Sequence, residues 1–422
     1  MDNNENDERN PSHRAVRNSG SATTLLSIMG VVFVAFLVIG IAMPVLPLHV
    51  HNGLSLGTFV VGIVAGSQFA ASLISRPWAG HYADRSGAKR AVVAGLLVAT
   101  ISGLFYLLSL HFVGAPLTSV AILLLGRALL GGAESFIITG AVSWGLTLAS
   151  PANTGKVIAW VGAAMFAAFA IGAPLGSALY AGYGFVAIAF ATMLAPLGTL
   201  LLVAPLPAVA PLPSSTRPAF AKVAGAVWVP GLGSALSSVG FGAITAFVTL
   251  LFAERGWSQG WLAYTAFATA FISARLVLGH LADRIGGAKV ALFCVLIEAA
   301  GLTLIWSALR PELALVGALL AGFGYSLVYP GLGVEAMRRV PPQSRGLAMG
   351  AYTAFLDVAL GFGTPALGLI ASWAGLGSVF LASAVASLCA ASVALRLLYA
   401  PSPSDNDVDL CGLQTAATCA SD

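Results

Sequence analysis

Long apolar runs alternate with short polar stretches along this chain of 422 residues. Each run is near or above the roughly 20 residues that a helix needs to cross a bilayer. The runs lie near 23–48, 56–80, 89–110, 116–148, 157–180, 185–204, 223–252, 260–281, 289–309, 313–337, 346–372 and 377–399. The pattern therefore predicts an all-α membrane protein with twelve transmembrane helices.

A proline- and serine-rich stretch after the sixth run divides the helices into two sets of six. We expect two six-helix bundles joined by a linker and flanked by polar tails, of which the first is predicted to lack regular structure. The predicted boundaries are 1–22 for the N-terminal tail, 23–204 for the N-terminal bundle, 205–222 for the linker, 223–399 for the C-terminal bundle and 400–422 for the C-terminal tail.

The composition excludes an ordinary soluble enzyme. Charged residues make up 9% of the chain and hydrophobic residues 58%, whereas about 25% of a soluble domain is charged. A net charge of +4 is too small to indicate a nucleic-acid partner, and the four cysteines have no metal-ligand or redox spacing. No G-x-x-x-x-G-K-[ST] sequence occurs, so we expect no ATP, no other cofactor, no metal and no enzymatic activity.

The distribution of lysine and arginine predicts the orientation. With the N-terminus inside, 15 of the 20 basic residues fall in tails, inner loops or inner helix ends. Because basic residues concentrate on the cytoplasmic side of membrane proteins, both termini and the linker are expected in the cytoplasm. The predicted location is the bacterial inner (plasma) membrane.

A charged motif occurs twice, as R-P-W-A-G-H-Y-A-D-R-S-G-A-K-R at 76–90 and R-L-V-L-G-H-L-A-D-R-I-G-G-A-K at 275–289. The offset of 199 residues is almost half of the chain and indicates duplication of a long unit, which predicts two pseudo-symmetric bundles. Each copy lies between two apolar runs, so we expect a tight, charged turn between two helices, with Arg76 supporting the turn.

Duplicated six-helix halves with this motif resemble the major facilitator superfamily, whose signature is G-x-x-x-D-R-x-G-x-[KR]-[KR]. More narrowly, G-A-V-S-W-G-L (140–146), G-A-P-L-G (172–176) and R-V-P-P-Q-S-R-G (339–346) resemble the bacterial YhhS/YfcJ-type members. The resemblance covers about 23–400 and implies alternating access between the halves. It gives a gating role to Gly80, Asp84, Arg85, Gly87 and Arg90, and a weaker one to Asp283 and Arg284. The alternative is a merely solvated loop.

Helix 4 carries Arg127 and Glu134 seven residues apart, and therefore on almost the same helix face, with Gly131 between them. Charged residues are costly inside a bilayer and usually mark function. The segment matches a second motif of the superfamily, R-x-x-x-G, whose arginine is associated with proton translocation. The alternative is a structural ion pair that holds helix 4 to helix 1 or 2.

Three further acids fall within predicted spans. Asp357 lies mid-way along helix 11, near the expected central axis, where burial favours the neutral, proton-carrying form of a carboxyl group. Glu298 is expected in a peripheral helix, and Glu335 in a structural salt bridge with Arg338 or Arg339. The proton-coupling candidates are therefore Glu134, Asp357 and Arg127. Pairing of Asp357 with the loop motif or a helix end remains an alternative.

Helices 5 and 11 both contain glycine and proline in a pattern that predicts kinks and close helix approach, at Gly172, Pro174, Gly176 and Pro365. A glycine- and proline-rich helix 5 resembles the antiporter motif of the superfamily, although Ala173 and Ser177 depart from it. By the same resemblance, helices 1, 4, 7 and 10 line a substrate cavity, for which the candidates are Ser135, Thr139, Trp144, Ser238, Tyr325 and Tyr329.

We therefore expect a secondary active transporter that exports a small amphipathic molecule in exchange for protons. The alternative is proton-coupled uptake of a sugar or an organic acid, because the same carboxyl groups would serve either direction. A non-transporting membrane sensor is a remote alternative. The expected partners are the lipid bilayer, protons and a small-molecule substrate, and the expected state is a monomer.

Overall fold

The computed structural model describes residues 11–148, 154–208, 220–340 and 345–399. Within these residues, twelve helices are long and apolar enough to cross a membrane, which confirms the predicted fold class. They are α1 (Pro11–Ala42), α2 (Thr58–Ser86), α3 (Ala88–His111), α4 (Pro116–Leu148), α5 (Thr154–Tyr183), α6 (Phe185–Val203), α7 (Phe220–Glu254), α8 (Trp261–Leu278), α9 (Gly287–Ser307), α10 (Pro311–Met337), α11 (Arg345–Ala374) and α12 (Leu376–Tyr399). Short helical segments follow α1 (Leu46–Leu48 and the π-helix His49–Gly53) and α8 (Leu281–Ile285).

The helices pack as two bundles, α1–α6 and α7–α12, in line with the duplicated sequence. Two helix pairs form the main contact between the bundles: α2 packs on α11, and α5 packs on α8. Because the internal repeat relates α2 to α8 and α5 to α11, the two contacts are pseudo-symmetric equivalents. The duplication of the sequence thus appears again in the interface between its halves.

The bundles are joined most closely at the end opposite to the chain termini. One continuous apolar core includes the N-terminal bundle and the part of the C-terminal bundle at that end, with Phe252 and Tyr264 each only 1% exposed. The terminus-side part of the C-terminal bundle has a separate core around Val227, Ala291 and Leu397. The two halves therefore share one core at the end opposite to the termini, which we call the closed end. Towards the terminus-side end their cores are separate, and we call this the divided end.

Small residues allow the closest contact between the halves. A Cβ atom on Gly66 of α2 would lie only 2.7 Å from the carbonyl oxygen of Gly361 on α11, and 2.9 Å from Cδ of Pro365. At the closed end, the Thr58 hydroxyl donates a hydrogen bond to the Gly368 carbonyl at 3.0 Å. Glycine thus lets the two backbones approach within direct contact, which larger residues would prevent.

The glycine and proline positions of α5 serve a similar purpose within one half. A Cβ on Gly172 would lie 2.7 Å from the Gly40 carbonyl carbon, and one on Gly176 would meet Ile41, so α5 packs directly on α1. Pro174 lies inside the continuous helix α5, as Pro365 does inside α11. The sequence predicts these close approaches correctly.

Two of the predicted boundaries differ from the structure. Helix α1 begins at Pro11, so residues 11–22 continue the first helix instead of forming a tail without regular structure. Helix α7 begins at Phe220, within the predicted linker. In both cases a helix that is already formed adds residues at little cost, because only its first turn is expensive. Residues 1–10, 209–219 and 400–422, which hold the rest of the tails and most of the linker, lie outside the described residues.

The predicted charged loop is largely helical. Helix α2 continues through Asp84 and Arg85 to Ser86, and Gly87 alone separates it from α3. The φ angle of Gly87 is 95°, and that of the equivalent Gly286 is 102°, a region that favours glycine. The predicted tight turn is confirmed, but it is shorter than the motif, because continued helix satisfies the backbone hydrogen bonds of the motif and Gly87 alone reverses the chain.

The contact at Gly66 should be sensitive to a single methyl group. We expect Gly66→Ala to lower the melting temperature of the purified protein in detergent, because overpacking costs about 1–3 kcal/mol. The control is Gly30→Ala, since a Cβ at Gly30 meets nothing within 4 Å. If Gly66→Ala, like Gly30→Ala, melts at the same temperature as wild type or at a higher one, the close contact between α2 and α11 is contradicted.

Candidate functional site

A polar network lies inside the helix bundle where α2, α4 and α11 meet. Gln68, Ser72 and Arg76 are spaced four residues apart on α2 and therefore lie on one helix face. Gln68 and Ser72 are completely buried. Buried polar groups are retained where they are hydrogen-bonded, and each of these three residues has a partner on α4 or α11.

An ion pair connects the two halves. Nη2 of Arg76 on α2 donates a hydrogen bond to Oδ2 of Asp357 on α11. The Asp357 side chain is 3% exposed and that of Arg76 24%, so the pair is largely removed from solvent. The prediction that Arg76 supports the turn was wrong, because its side chain reaches the facing helix. The alternative for Asp357, pairing with the motif, is the one that the structure bears out.

Glu134 belongs to the same network. Its Oε2 accepts a hydrogen bond of 2.7 Å from Nε2 of Gln68, and its side chain is half-buried. Asp357, Arg76 and Arg127 all lie within electrostatic range of this carboxyl group. Two acids and two arginines are therefore gathered in one apolar region, and the sum of their charges is zero only when both acids are ionised.

Arg127 is 2% exposed and fixes α4 to α2 through backbone carbonyls. Its Nε donates to the Val64 carbonyl at 3.2 Å, and its Nη2 donates to the Ala65 carbonyl at 3.3 Å. Nη1 has no hydrogen-bond partner among the described residues. The alternative of a structural ion pair between Arg127 and an acid is wrong, because carbonyl oxygens take the place of a carboxylate.

Ser135 joins the network as a packing group. Its hydroxyl donates to the Ser72 carbonyl at 2.8 Å and lies 2.9 Å from the Ser72 hydroxyl. One turn earlier on α4, a Cβ on Gly131 would collide with the Gln68 carbonyl. Helices α2 and α4 are therefore held at a fixed distance, and Ser135 is occupied by this contact instead of lining an open cavity.

Among the described residues, the other predicted cavity residues make no hydrogen bond to this network, although Tyr329 lies within electrostatic range of Arg76 and Asp357. Trp144 is 1% exposed on α4, and Thr139 is half-buried. The Ser238 hydroxyl donates to the Ser234 carbonyl at 2.8 Å and lies 3.1 Å from the Tyr325 hydroxyl. Tyr329 is half-buried one turn further along α10, and its hydroxyl lies 2.6 Å from that of Thr353. Tyr325 and Tyr329 therefore share one face of α10.

The predicted gating residues gather at the terminus-side end of α2 and α3. Arg85 and Arg90 are exposed, and Nζ of Lys89 donates to the Ala204 and Leu206 carbonyls at 2.8 and 2.7 Å. A cleft of about 590 Å³ beside Gly87 is lined in part by Arg85, Lys89 and Arg90.

In the second copy of the motif, Arg284 is exposed, and the side chain of Asp283 lies outside the described residues. Gly80 has nothing within 4 Å of the place where a Cβ would stand.

The two remaining acids have structural surroundings. Glu298 was expected in a peripheral helix. Its side chain is 1% exposed because that helix turns it inward, where Oε2 accepts a hydrogen bond from Ser237 at 2.5 Å. Glu335 pairs with Arg338 at 3.4 Å, which confirms the predicted salt bridge, and it accepts a hydrogen bond from the Ala288 amide at the start of α9.

The chain is similar to known membrane transporters. The family model of the Major Facilitator Superfamily matches residues 28–263 and 231–409. An MFS-type transporter of Salmonella typhimurium is 42% identical over 384 residues, which is 91% of this chain and 99% of that protein. The MFS-type transporter YhhS of Escherichia coli K12 is 41% identical over 360 residues, 85% of this chain and 89% of that protein.

Among solved structures, the nucleoside transporter NupG shares the fold, with a TM-score of 0.73 and 14% identity over 89% of this chain and 99% of that one. The D-xylose-proton symporter has a TM-score of 0.70 and 15% identity over 88% of this chain and 96% of that one.

The ion pair between the halves should be measurable by a double-mutant cycle. We expect Arg76→Gln and Asp357→Asn each to lower the melting temperature in detergent, because each leaves one buried polar group without its partner. The double variant should be less destabilised than the sum of the two, with a coupling energy of about 0.5–3 kcal/mol. Additive losses would contradict a direct interaction.

Proposed function

Because the chain belongs to the major facilitator superfamily, we propose that it exports a small amphipathic molecule in exchange for protons. Its relatives are transporters and not enzymes, which confirms the expectation from composition. The proposal is supported by one observation above all: the pair of Arg76 and Asp357 crosses between the halves that must separate in alternating access.

The ion pair supplies a physical link between a proton and a conformational change. When Asp357 takes up a proton, it loses its charge and with it most of its attraction to Arg76. The contact between α2 of the N-terminal bundle and α11 of the C-terminal bundle is then weakened. A proton therefore favours separation of the halves, and its release favours their closure, as coupled transport requires.

Glu134 provides a second proton-binding group close to the first. It lies within electrostatic range of Asp357, so the two carboxyl groups influence one another's protonation. Arg127 and Arg76 contribute two fixed positive charges beside them. We propose that Glu134 and Asp357 exchange the proton, while Arg127 keeps α4 against α2 and offsets the charge of the ionised acids.

The direction of transport rests on the glycine and proline pattern of α5. Gly172, Pro174 and Gly176 resemble the antiporter motif, which favours export. The fold itself is compatible with either direction, since a D-xylose-proton symporter shares it. Proton-coupled uptake of a sugar or an organic acid is therefore the second candidate, with the same carboxyl groups in the same roles.

The excess of basic residues at the terminus-side end supports an inner-membrane protein with cytoplasmic termini. In that orientation the closed end faces outward and the divided end faces the cytoplasm. We further propose that the motif around Gly87, with Asp84, Arg85 and Arg90, contributes to closure of the cytoplasmic end in the opposite conformation.

Removal of the Glu134 proton site should abolish coupling. In everted membrane vesicles energised by respiration, with a pH-sensitive dye, we expect wild type to dissipate the gradient when an amphipathic compound is added. Glu134→Gln should reduce this to the rate of vesicles lacking the protein, because the amide cannot carry a proton. The control is Glu312→Gln, an exposed residue in the first turn of α10.

Proton-driven transport that persists in Glu134→Gln would remove Glu134 from the mechanism. A compound that leaves the vesicle gradient unchanged, but accumulates in whole cells only when the protein is present, would instead favour uptake. Amphipathic cations, sugars and organic acids are added in both assays, so that export and uptake are each tested with every class of compound.

A further inference from the structure

Arg275 occupies, in the second half, the place that Arg76 has in the first. The two arginines begin the two copies of the repeated motif, 199 residues apart, on the equivalent helices α8 and α2. Both lie at a contact between the halves, Arg76 where α2 meets α11 and Arg275 where α8 meets α5. A Cβ on Gly162 of α5 would lie 3.9 Å from Cζ of Arg275.

The two arginines differ in their partners. Arg76 pairs with Asp357, whereas Arg275 makes no hydrogen bond or ion pair with any residue that the structure describes. Its Cζ lies 5.8 Å from the centroid of the Phe271 ring, which is a cation–π distance. The ionisable groups that influence it are Tyr325 and Tyr329, which carry no charge near neutral pH. Its positive charge thus has no counter-charge among the described residues.

The internal repeat explains why the partner is missing. The glycine and proline positions of α5 and α11 align with an offset of 191 residues, from Gly172 and Pro174 to Gly363 and Pro365. With this offset, Asp357 corresponds to Phe166. The acid that neutralises the first arginine is therefore replaced by an aromatic ring beside the second one.

Phe166 belongs to an aromatic cluster between the halves. Its ring stacks on that of Phe271 with a centroid distance of 3.5 Å, and Phe271 lies 5.8 Å from Tyr325. Phe241 stacks on Tyr325 at 5.6 Å. All four belong to the apolar core that joins the halves. Arg275 lies one helical turn after Phe271 on α8, towards the divided, terminus-side end of the molecule.

Arg275 thus places a cation at the edge of a buried aromatic cluster. A half-buried arginine without a counter-ion is unfavourable in a bilayer, and its planar group is suited to bind a carboxylate through two parallel hydrogen bonds. The neighbouring rings are buried in the apolar core that joins the halves, and Arg275 lies at the edge of this cluster, beside Phe271. We propose that Arg275 binds the carboxylate of an amphipathic organic anion, and that the apolar part of the anion lies against the edge of the aromatic cluster beside Phe271. This names the substrate class of the proposed transporter and rests on that function.

The test is equilibrium binding to the purified full chain in detergent at neutral pH, without a proton gradient. The probes are 4-phenylbutyrate, its neutral amide and 4-phenylbutylamine, which share an apolar part and differ in charge. Wild type should bind the carboxylate at least about tenfold more tightly than the amide, which corresponds to about 1.4 kcal/mol for one charged contact. The amine should bind most weakly.

Arg275→Gln should remove the preference for the carboxylate, and Arg275→Lys should keep part of it, because lysine retains the charge but not the planar group. The control is Arg310→Gln, an exposed arginine that precedes α10. Elution as a single species and an unchanged melting temperature show that each variant is folded.

The proposal would be overturned if wild type bound the carboxylate and the amide equally, or bound neither. It would also be overturned if Arg275→Gln preferred the carboxylate as strongly as wild type does. The readout is independent of proton coupling. A carboxylate preference without proton-driven transport would therefore contradict the proposed coupling and leave Arg275 as an anion site.

Discussion

An ion pair in an apolar environment links the two halves where α2 packs on α11. Arg76 and Asp357 come from different bundles and are mostly shielded from water, so neither charge is well solvated when the partner is absent. The energy of this pair changes when a proton binds, whereas the energy of the surrounding apolar packing does not. In the proposed mechanism, this carboxyl group converts proton occupancy into a preference for the closed or the separated arrangement.

The packing around the pair makes such a switch effective. Gly66 and Gly361 bring the α2 and α11 backbones into direct contact, so a small displacement at the ion pair is not absorbed by flexible side chains. Arg127 and Ser135 fix α4 to α2, and Glu134 moves with them. The network is therefore rigid within the N-terminal bundle and has its adjustable contact at the boundary with the C-terminal bundle.

Much of the fold could be predicted from sequence because the bilayer imposes a length and an apolar composition on each helix. The duplicated motif also predicted the two halves, because each copy of the repeated unit forms one six-helix bundle. The extent of the motif helices was harder to predict. Gly87 looks like one residue of a loop in the sequence, but its left-handed backbone is the whole connection between α2 and α3.

The candidate site was only partly predictable. Asp357 and Glu134 stood out as acids within apolar runs, but Arg76 was interpreted as part of the turn although it pairs with a residue 281 positions away. That partnership depends on the rotation of α2 and α11 about their axes, which hydropathy does not specify. The spacing of Gln68, Ser72 and Arg76 on one face of α2 was the available signal. The burial of Glu298 depends on helix rotation in the same way, since a peripheral helix can still turn one side chain inward.

The most direct test of this account is a distance measurement across the closed end. Spin labels at Asn52 and Ser372, both exposed, would report the separation of the halves in a chain without its native cysteines. We predict that acidification from about pH 8 to about pH 5 lengthens this distance, and that Asp357→Asn shows the longer distance at both pH values. A distance distribution that neither acidification nor Asp357→Asn changes would contradict the central role of the ion pair.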